Sequence, residues 1–266
     1  MKLKDNNVLI IGASQGIGKA LAEAYLNAGA NIVLLSRNTT AIEEICSVQL
    51  TAGQKSFYLK CDVADYDDVK SGISFAIEKL STIDLAIINS GIGIPEWMES
   101  FRSEEYKKTF AVNAFGIAHA LEFLIPIMKK QGYGTIAGVT SLADVRGYPG
   151  SSSYCSSKAA ASVLLESARV ELNPHNINII TIKPGFVKTA MTDKNEFYMP
   201  FLMSTEKAAK IILKGINKRK SIVQFPFGTV MLTRLVKFVP NWIYDPVMRM
   251  GRTNKHSRES GKPGNG

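Results

Sequence analysis

The run Val8-Leu9-Ile10-Ile11-Gly12-Ala13-Ser14-Gln15-Gly16-Ile17-Gly18 decides the fold. Its apolar start, Val8 to Gly12, reads as a short buried strand. Lys19 to Ala28 reads as a helix with apolar residues at Leu21, Ala24, Tyr25 and Ala28. Between them, glycines at 12, 16 and 18 stand where backbone must pass close to a ligand and a helix must pack on a strand. The N–H groups there, from Ser14 and Gln15 to Ile17, open a helix and suit a pyrophosphate. A glycine-rich turn by itself can equally be a tight loop, and the strand before it and helix after it give it meaning.

Outward from this unit the pattern repeats. Asn31 to Ser36 is a second strand, about Thr40 to Leu50 a helix, and Phe57 to Cys61 a third strand. Asp65 caps a helix running to about Leu80, and Asp84 to Asn89 is a fourth strand. A long helical region containing Asn113 follows, then the strand before Ser141. A helix ending near Leu172 and a strand over Ile177 to Ile182 come next. Strands alternating with helices give βαβ units, and right-handed crossovers make a single α/β domain with a doubly wound parallel sheet.

Composition narrows the class. A chain of 266 residues with 45% hydrophobic and 21% charged residues reads as globular. Cys46, Cys61 and Cys155 form no CxxC or metal spacing, which favours a reducing, cytoplasmic setting with free thiols. His119, His175 and His256 stand far apart, so no metal is expected. No signal peptide is expected before the first strand, and no uninterrupted apolar run reaches spanning length. Residues 214–266 hold 11 basic and 2 acidic residues, the whole net charge of +9, while residues 1–213 balance.

Tyr154-Cys155-Ser156-Ser157-Lys158 places a phenol and an ammonium one helical turn apart. A lysine charge nearby favours the phenolate, bringing the tyrosine's proton exchange closer to neutral pH. Alone, such a pair is also met as a core-edge ring and a solvated amine. Ser141, at the end of the preceding strand, can converge with it on one substrate oxygen.

The glycine loop, Ser141 and the Tyr154/Lys158 pair, in this order, resemble the short-chain dehydrogenase/reductase family over roughly residues 5–225. The resemblance implies a Rossmann-type fold and a carbonyl–alcohol oxidoreductase with Asn113, Ser141, Tyr154 and Lys158 as its catalytic set. Ser141 and Tyr154 would bind the substrate oxygen, and Asn113 would link Lys158 to solvent. The family spacing Gly-x-x-x-Gly-x-Gly is kept at Gly12, Gly16 and Gly18, with Ile11 where the family usually has Thr. Asp62 and Val63 would meet the adenine. Asn89-Ser90-Gly91 stands for the family's Asn-Asn-Ala-Gly. Pro184, Gly185, Val187 and Thr189 match Pro-Gly-x-Val-x-Thr, which holds the nicotinamide carboxamide. Ser36 and Arg37, with no acid beside them, suit the 2′-phosphate of NADP(H) over NAD(H). A non-enzymatic NADP(H)-binding sensor or scaffold is the alternative.

A substrate lid is expected around 190–215, and its Met and aromatic residues suit an apolar or lipid-like molecule as readily as ordinary packing. The family implies a homodimer or homotetramer through the helices carrying Asn113 and Tyr154. Beyond a catalytic domain ending at 225, residues 226–250 read as an apolar and basic helical extension, and 251–266 as a tail without fixed structure. Val230 to Val239, as a helix, puts Thr233, Arg234 and Lys237 on one narrow face and leaves a wide apolar one. With basic flanks, residues 228–258 suit contact with an anionic membrane surface. Closing the pocket or a subunit interface is the other reading. Nucleic acid is not expected, since it would leave the apolar face unused.

Overall fold

The computed structural model describes residues 6–47, 51, 53–193 and 198–249. The tail 251–266, with Arg252, Lys255 and Arg258, lies outside them, as do Leu50 and Phe197. Seven parallel strands form one sheet: β1 Asn7–Ile11, β2 Asn31–Ser36, β3 Ser56–Lys60, β4 Leu85–Ile88, β5 Gly134–Val139, β6 Ile177–Pro184 and β7 Ile222–Phe225. Their order is β3-β2-β1-β4-β5-β6-β7, so the winding reverses between β1 and β4. In such sheets ligands sit beyond the carboxyl ends of the strands at this reversal. The sequence reading stopped at six strands; β7 is four residues long, and its burial is mixed where that of the equally short β4 is complete.

Alternate residues of β1 feed opposite faces of the sheet. Val8 and Ile10 join one core with α1 (Gly16–Asn27), α2 (Thr39–Cys46) and α7 (Thr205–Asn217). Leu9 and Ile11 join the other, with α3 (Tyr66–Leu80), α5 (Gly116–Gln131) and α6 (Ser152–Leu172). Each fully buried Leu or Ile contributes about 1.5–3 kcal/mol, so these two layers hold the sheet rigid. Side-chain caps fix the helix starts. Asn38, Asp65 and Ser204 accept from Ala41, Asp68 and Lys207 N–H, respectively.

Two regions gain detail. The helical region around Asn113 is α4 (Ser103–Phe110), a π-helical turn (Ala111–Phe115) and then α5. Taken as one helix, Ser103–Gln131 is long and apolar enough to cross a membrane by length and composition, although Asn113, His119 and Glu122 interrupt the run. Its Ile117, Ala120, Leu121, Leu124 and Met128 are buried in the core. The expected lid, 190–215, also divides. Its second half belongs to α7, whose Ala208, Ala209, Ile212 and Leu213 are buried in the core that α1 shares.

The C-terminal helix α8 (Phe227–Phe238) is docked on the domain, and residues 241–249 are helical after it. A Cβ on Gly185 would lie 3.1 Å from Pro226 and from Thr229, so α8 starts directly against the loop after β6.

Candidate active site

Strand register builds the site. Ile11 pairs with Leu35 and with Ile88, so Gly12, Ser36 and Asn89 leave the sheet side by side. Val139 pairs with Ile182, which brings the Ser141 turn next to Pro184. Beyond these ends lies a cleft of about 360 Å³. Of the residues expected to hold a dinucleotide, all except Gly18 line it. Gly18 lies behind the loop: a Cβ there would sit 2.1 Å from the Gly12 carbonyl oxygen and 2.6 Å from Asn89 Nδ2. Asn89 Nδ2 donates to that same oxygen at 2.8 Å, tying the loop to the end of β4. Gly12 has φ +85°, and its missing Cβ leaves room for Ser90, whose Oγ would be 2.5 Å away. The loop lies over the N-terminus of α1 and has the close backbone approach a pyrophosphate needs.

At the far end of the cleft, Ser36 is buried, while Arg37 is exposed and pairs loosely with Asp62, Nη1 to Oδ2 at 3.8 Å. An exposed pair of this length holds neither side chain firmly.

The reactive end is built around α6. Lys158 is 3% exposed and donates from Nζ to the Val139 carbonyl at 3.0 Å. Burial pulls its pKa down to about 8, opposed by the Asp144 carboxylate. Its Nζ lies 5.9 Å from the centre of the Tyr154 ring. Burial pushes the Tyr154 phenol up, relieved in part by the Ser141 hydroxyl. This corrects the expectation of a lysine-depressed phenol: desolvation dominates here. Ser141 itself accepts from Ala143 N–H at 3.1 Å, and its hydroxyl is a hydrogen-bond partner of the Tyr154 phenol.

Asn113 is fully buried in the π turn, and its amide is satisfied locally. It accepts from Ile92 N–H at 2.8 Å and donates to Ile92 C=O at 2.9 Å and to Ser157 Oγ at 3.0 Å. It makes no direct bond to Lys158. The two side chains meet only across Gly91, where a Cβ would lie 3.1 Å from Lys158 Nζ and 3.4 Å from Asn113 Oδ1. Among the described residues no cluster of three His, Cys, Asp or Glu is placed to hold a metal.

The sequence reading missed several supports. Asp144, 3% exposed, pairs with Lys183 at 2.6 Å and accepts from Ser162 Oγ. Asp144 follows the end of β5 and Lys183 is the penultimate residue of β6, a juxtaposition the β5/β6 order carries but neither segment shows alone. Thr192 Oγ1 accepts from Thr189 N–H and donates to Val187 C=O, both at 2.8 Å, bracing the loop after β6. The Thr189-x-x-Thr192 spacing was a readable sign of that turn. Of the expected apolar wall, Met191 lines the cleft and Met203 packs on the core, whereas Tyr198, Phe201 and Leu202 are exposed.

Residues 6–197 match the family model of the short chain dehydrogenases. The chain is 32% identical over 241 residues to an uncharacterized oxidoreductase of Myxococcus xanthus, covering 91% of this chain and 95% of that one. It is 31% identical to the 7α-hydroxysteroid dehydrogenase of Escherichia coli, over 71% of this chain and 74% of that one. A solved structure of a 7α-hydroxysteroid dehydrogenase with NADH and 7-oxo glycochenodeoxycholic acid superposes with a TM-score of 0.75. It is 27% identical and is matched over 83% of this chain and 93% of that one. The chain belongs to the short chain dehydrogenase family, oxidoreductases that interconvert C=O and CH–OH groups.

Proposed function

We propose that this protein is an NADP(H)-dependent reductase or dehydrogenase of an apolar carbonyl or secondary alcohol compound. The observation that carries the reading is one cleft bounded at one end by the glycine loop and Arg37 and at the other by Tyr154 and Lys158. A bound nicotinamide dinucleotide supplies or accepts the hydride. Gly12, Gly16, Asn89, Thr189 and Lys158, which line the cleft, would hold it. Tyr154, kept protonated by burial, gives its proton to the substrate oxygen. Ser141, a hydrogen-bond partner of the phenol, binds the same substrate oxygen. Lys158 keeps a positive charge beside both, and Asn113 fixes the turn against which Lys158 packs.

Ser36 and Arg37 favour the 2′-phosphate, since no acid at the end of β2 repels it and a loosely paired guanidinium can turn to it. The similar 7α-hydroxysteroid dehydrogenase structure holds NADH. Cofactor choice is therefore tested directly by kcat/KM with NADPH and NADH. A preference for NADPH that reverses in Arg37→Asp supports the reading; equal efficiency with both in the wild type removes it. A second copy is proposed to pair on the faces of α5 and α6, where Val163 and Val170, with Phe115 just ahead of α5, are exposed apolar residues. A monomer by light scattering would contradict that pairing.

A further inference from the structure

Helix α8 is turned inside out. It buries Thr229, Val230 and Thr233 against the domain and exposes Phe227 and Phe238 at 80% each and Leu235 at 65%, with Met231 and Leu232 beside them. Trp242, at 76%, and Val247 extend the same outward character into 241–249. The narrow polar face expected from sequence is split by this orientation: Thr233 points inward, and Arg234 and Lys237 stay exposed. Water is a poor partner for so many large apolar side chains on one short helix.

The orientation is held, not frayed. Arg146, just past the Ser141 turn, donates to the carbonyls of Val236 at 3.0 Å and Val239 at 2.5 Å, and to Asn241 Oδ1 at 2.5 Å. Its guanidinium stacks 3.8 Å from the centre of the Tyr244 ring, and the Tyr244 hydroxyl donates to Gly147 C=O. The patch also continues toward the cleft. Phe201 packs on α8 at Gly228, where a Cβ would lie 2.5 Å from its ring, and exposed Leu202 follows it. Met203 then pairs with backbone at Phe186 and Lys188, beside the residues that line the cleft.

We propose that the outward face of α8 and of 241–249 docks on an anionic lipid bilayer. Charge selects this occupant. Arg234, Lys237 and Arg249 are exposed around the apolar surface, and residues 214–266 carry 11 basic residues against 2 acidic ones. A second copy placed on this face would set the same positive segment against itself. Nucleic acid would use the charge and leave Phe227, Leu235, Phe238 and Trp242 in water. An anionic bilayer uses both: apolar side chains enter the acyl boundary, the tryptophan sits at headgroup level, and the basic residues meet lipid phosphates. Docking stands apart from the enzymatic reading, and its test needs no turnover.

The test is co-sedimentation of the full chain with vesicles of phosphatidylcholine alone or mixed with phosphatidylserine, at low and high salt. The wild type is expected to bind the mixed vesicles, more weakly at high salt, with a blue shift of tryptophan fluorescence that Trp242→Ala abolishes. The exposed-site variants Leu235→Glu/Phe238→Glu and Arg234→Glu/Lys237→Glu, checked for an unchanged thermal midpoint, are each expected to lower vesicle affinity at least about tenfold. No binding of the wild type to mixed vesicles overturns the proposal, as does equal binding by both variants. A wild-type dimer that Leu235→Glu/Phe238→Glu splits into monomers would give the face to a second copy, and also overturns it.

Discussion

Asn113 Nδ2 donates to Ser157 Oγ at 3.0 Å, tying the π turn between α4 and α5 to the helix that carries both Tyr154 and Lys158. The same amide closes on Ile92 through both of its backbone groups. Asn113→Ala therefore leaves a buried N–H and C=O without partners, and urea unfolding should show a loss of about 2–4 kcal/mol. The turn also positions Gly91 against Lys158, so kcat should fall more than KM rises. A variant with wild-type stability would show that this contact is not what holds the turn.

Lys183 and Asp144 form an ion pair at 2.6 Å beneath the Ser141 turn, with Asp144 almost fully buried. Removing one charge strands the other. Lys183→Met should cost about 2–4 kcal/mol, and Asp144→Asn/Lys183→Met should regain most of that loss. Chemical denaturation of the two variants checks it; equal losses would mean that the pair's packing, not its charge, matters.

Lys158 lowers stability in return for its position. Its pKa is near 10.5 in the unfolded chain and about 8 when folded. Between those values the unfolded chain holds a proton the native one lacks, so on this group's account stability rises with pH from about 8 to about 10.5. Below about pH 8 the full cost, of order 3 kcal/mol, is present. Lys158→Met should therefore unfold at higher urea than the wild type at pH 7 while losing turnover, and its advantage should shrink toward pH 10. An advantage constant with pH would assign it to packing alone.

Gly18 tests the cradle separately from the chemistry. With Gly12 O only 2.1 Å from the place of a Cβ, Gly18→Ala must push the loop off β4. Dinucleotide binding, followed by quenching of protein fluorescence, should weaken at least about tenfold, since loop backbone positions the pyrophosphate. Unchanged affinity would mean that the loop does not hold the cofactor.

Much of this arrangement was legible before folding. The glycine spacing, the strand-by-strand order and the Tyr154/Lys158 pair each rest on local chemistry, and their convergence on one cleft follows from parallel register. What stayed hidden depends on contacts across the fold. The Asp144–Lys183 pair needs β5 beside β6, and the Arg146 clasp needs α8 folded back over the Ser141 turn. The direction of the Tyr154 shift is set by burial, which the four-residue spacing to Lys158 does not reveal. The facing of α8 was misleading in sequence, because Thr229 turns inward against Gly185, Thr233 is buried with it, and the apolar side is left to the outside.

The central claim, that Tyr154 is the proton-bearing group of a carbonyl–alcohol oxidoreductase, is tested most directly by NADPH consumption against a panel of apolar ketones. Wild type and Tyr154→Phe should be compared, with NADPH affinity measured alongside. The account predicts turnover of at least one ketone by the wild type. In Tyr154→Phe, kcat should fall by about 10²–10⁴ while NADPH affinity stays within about threefold, the range expected for losing a positioned general acid. A phenylalanine variant as fast as the wild type would contradict it.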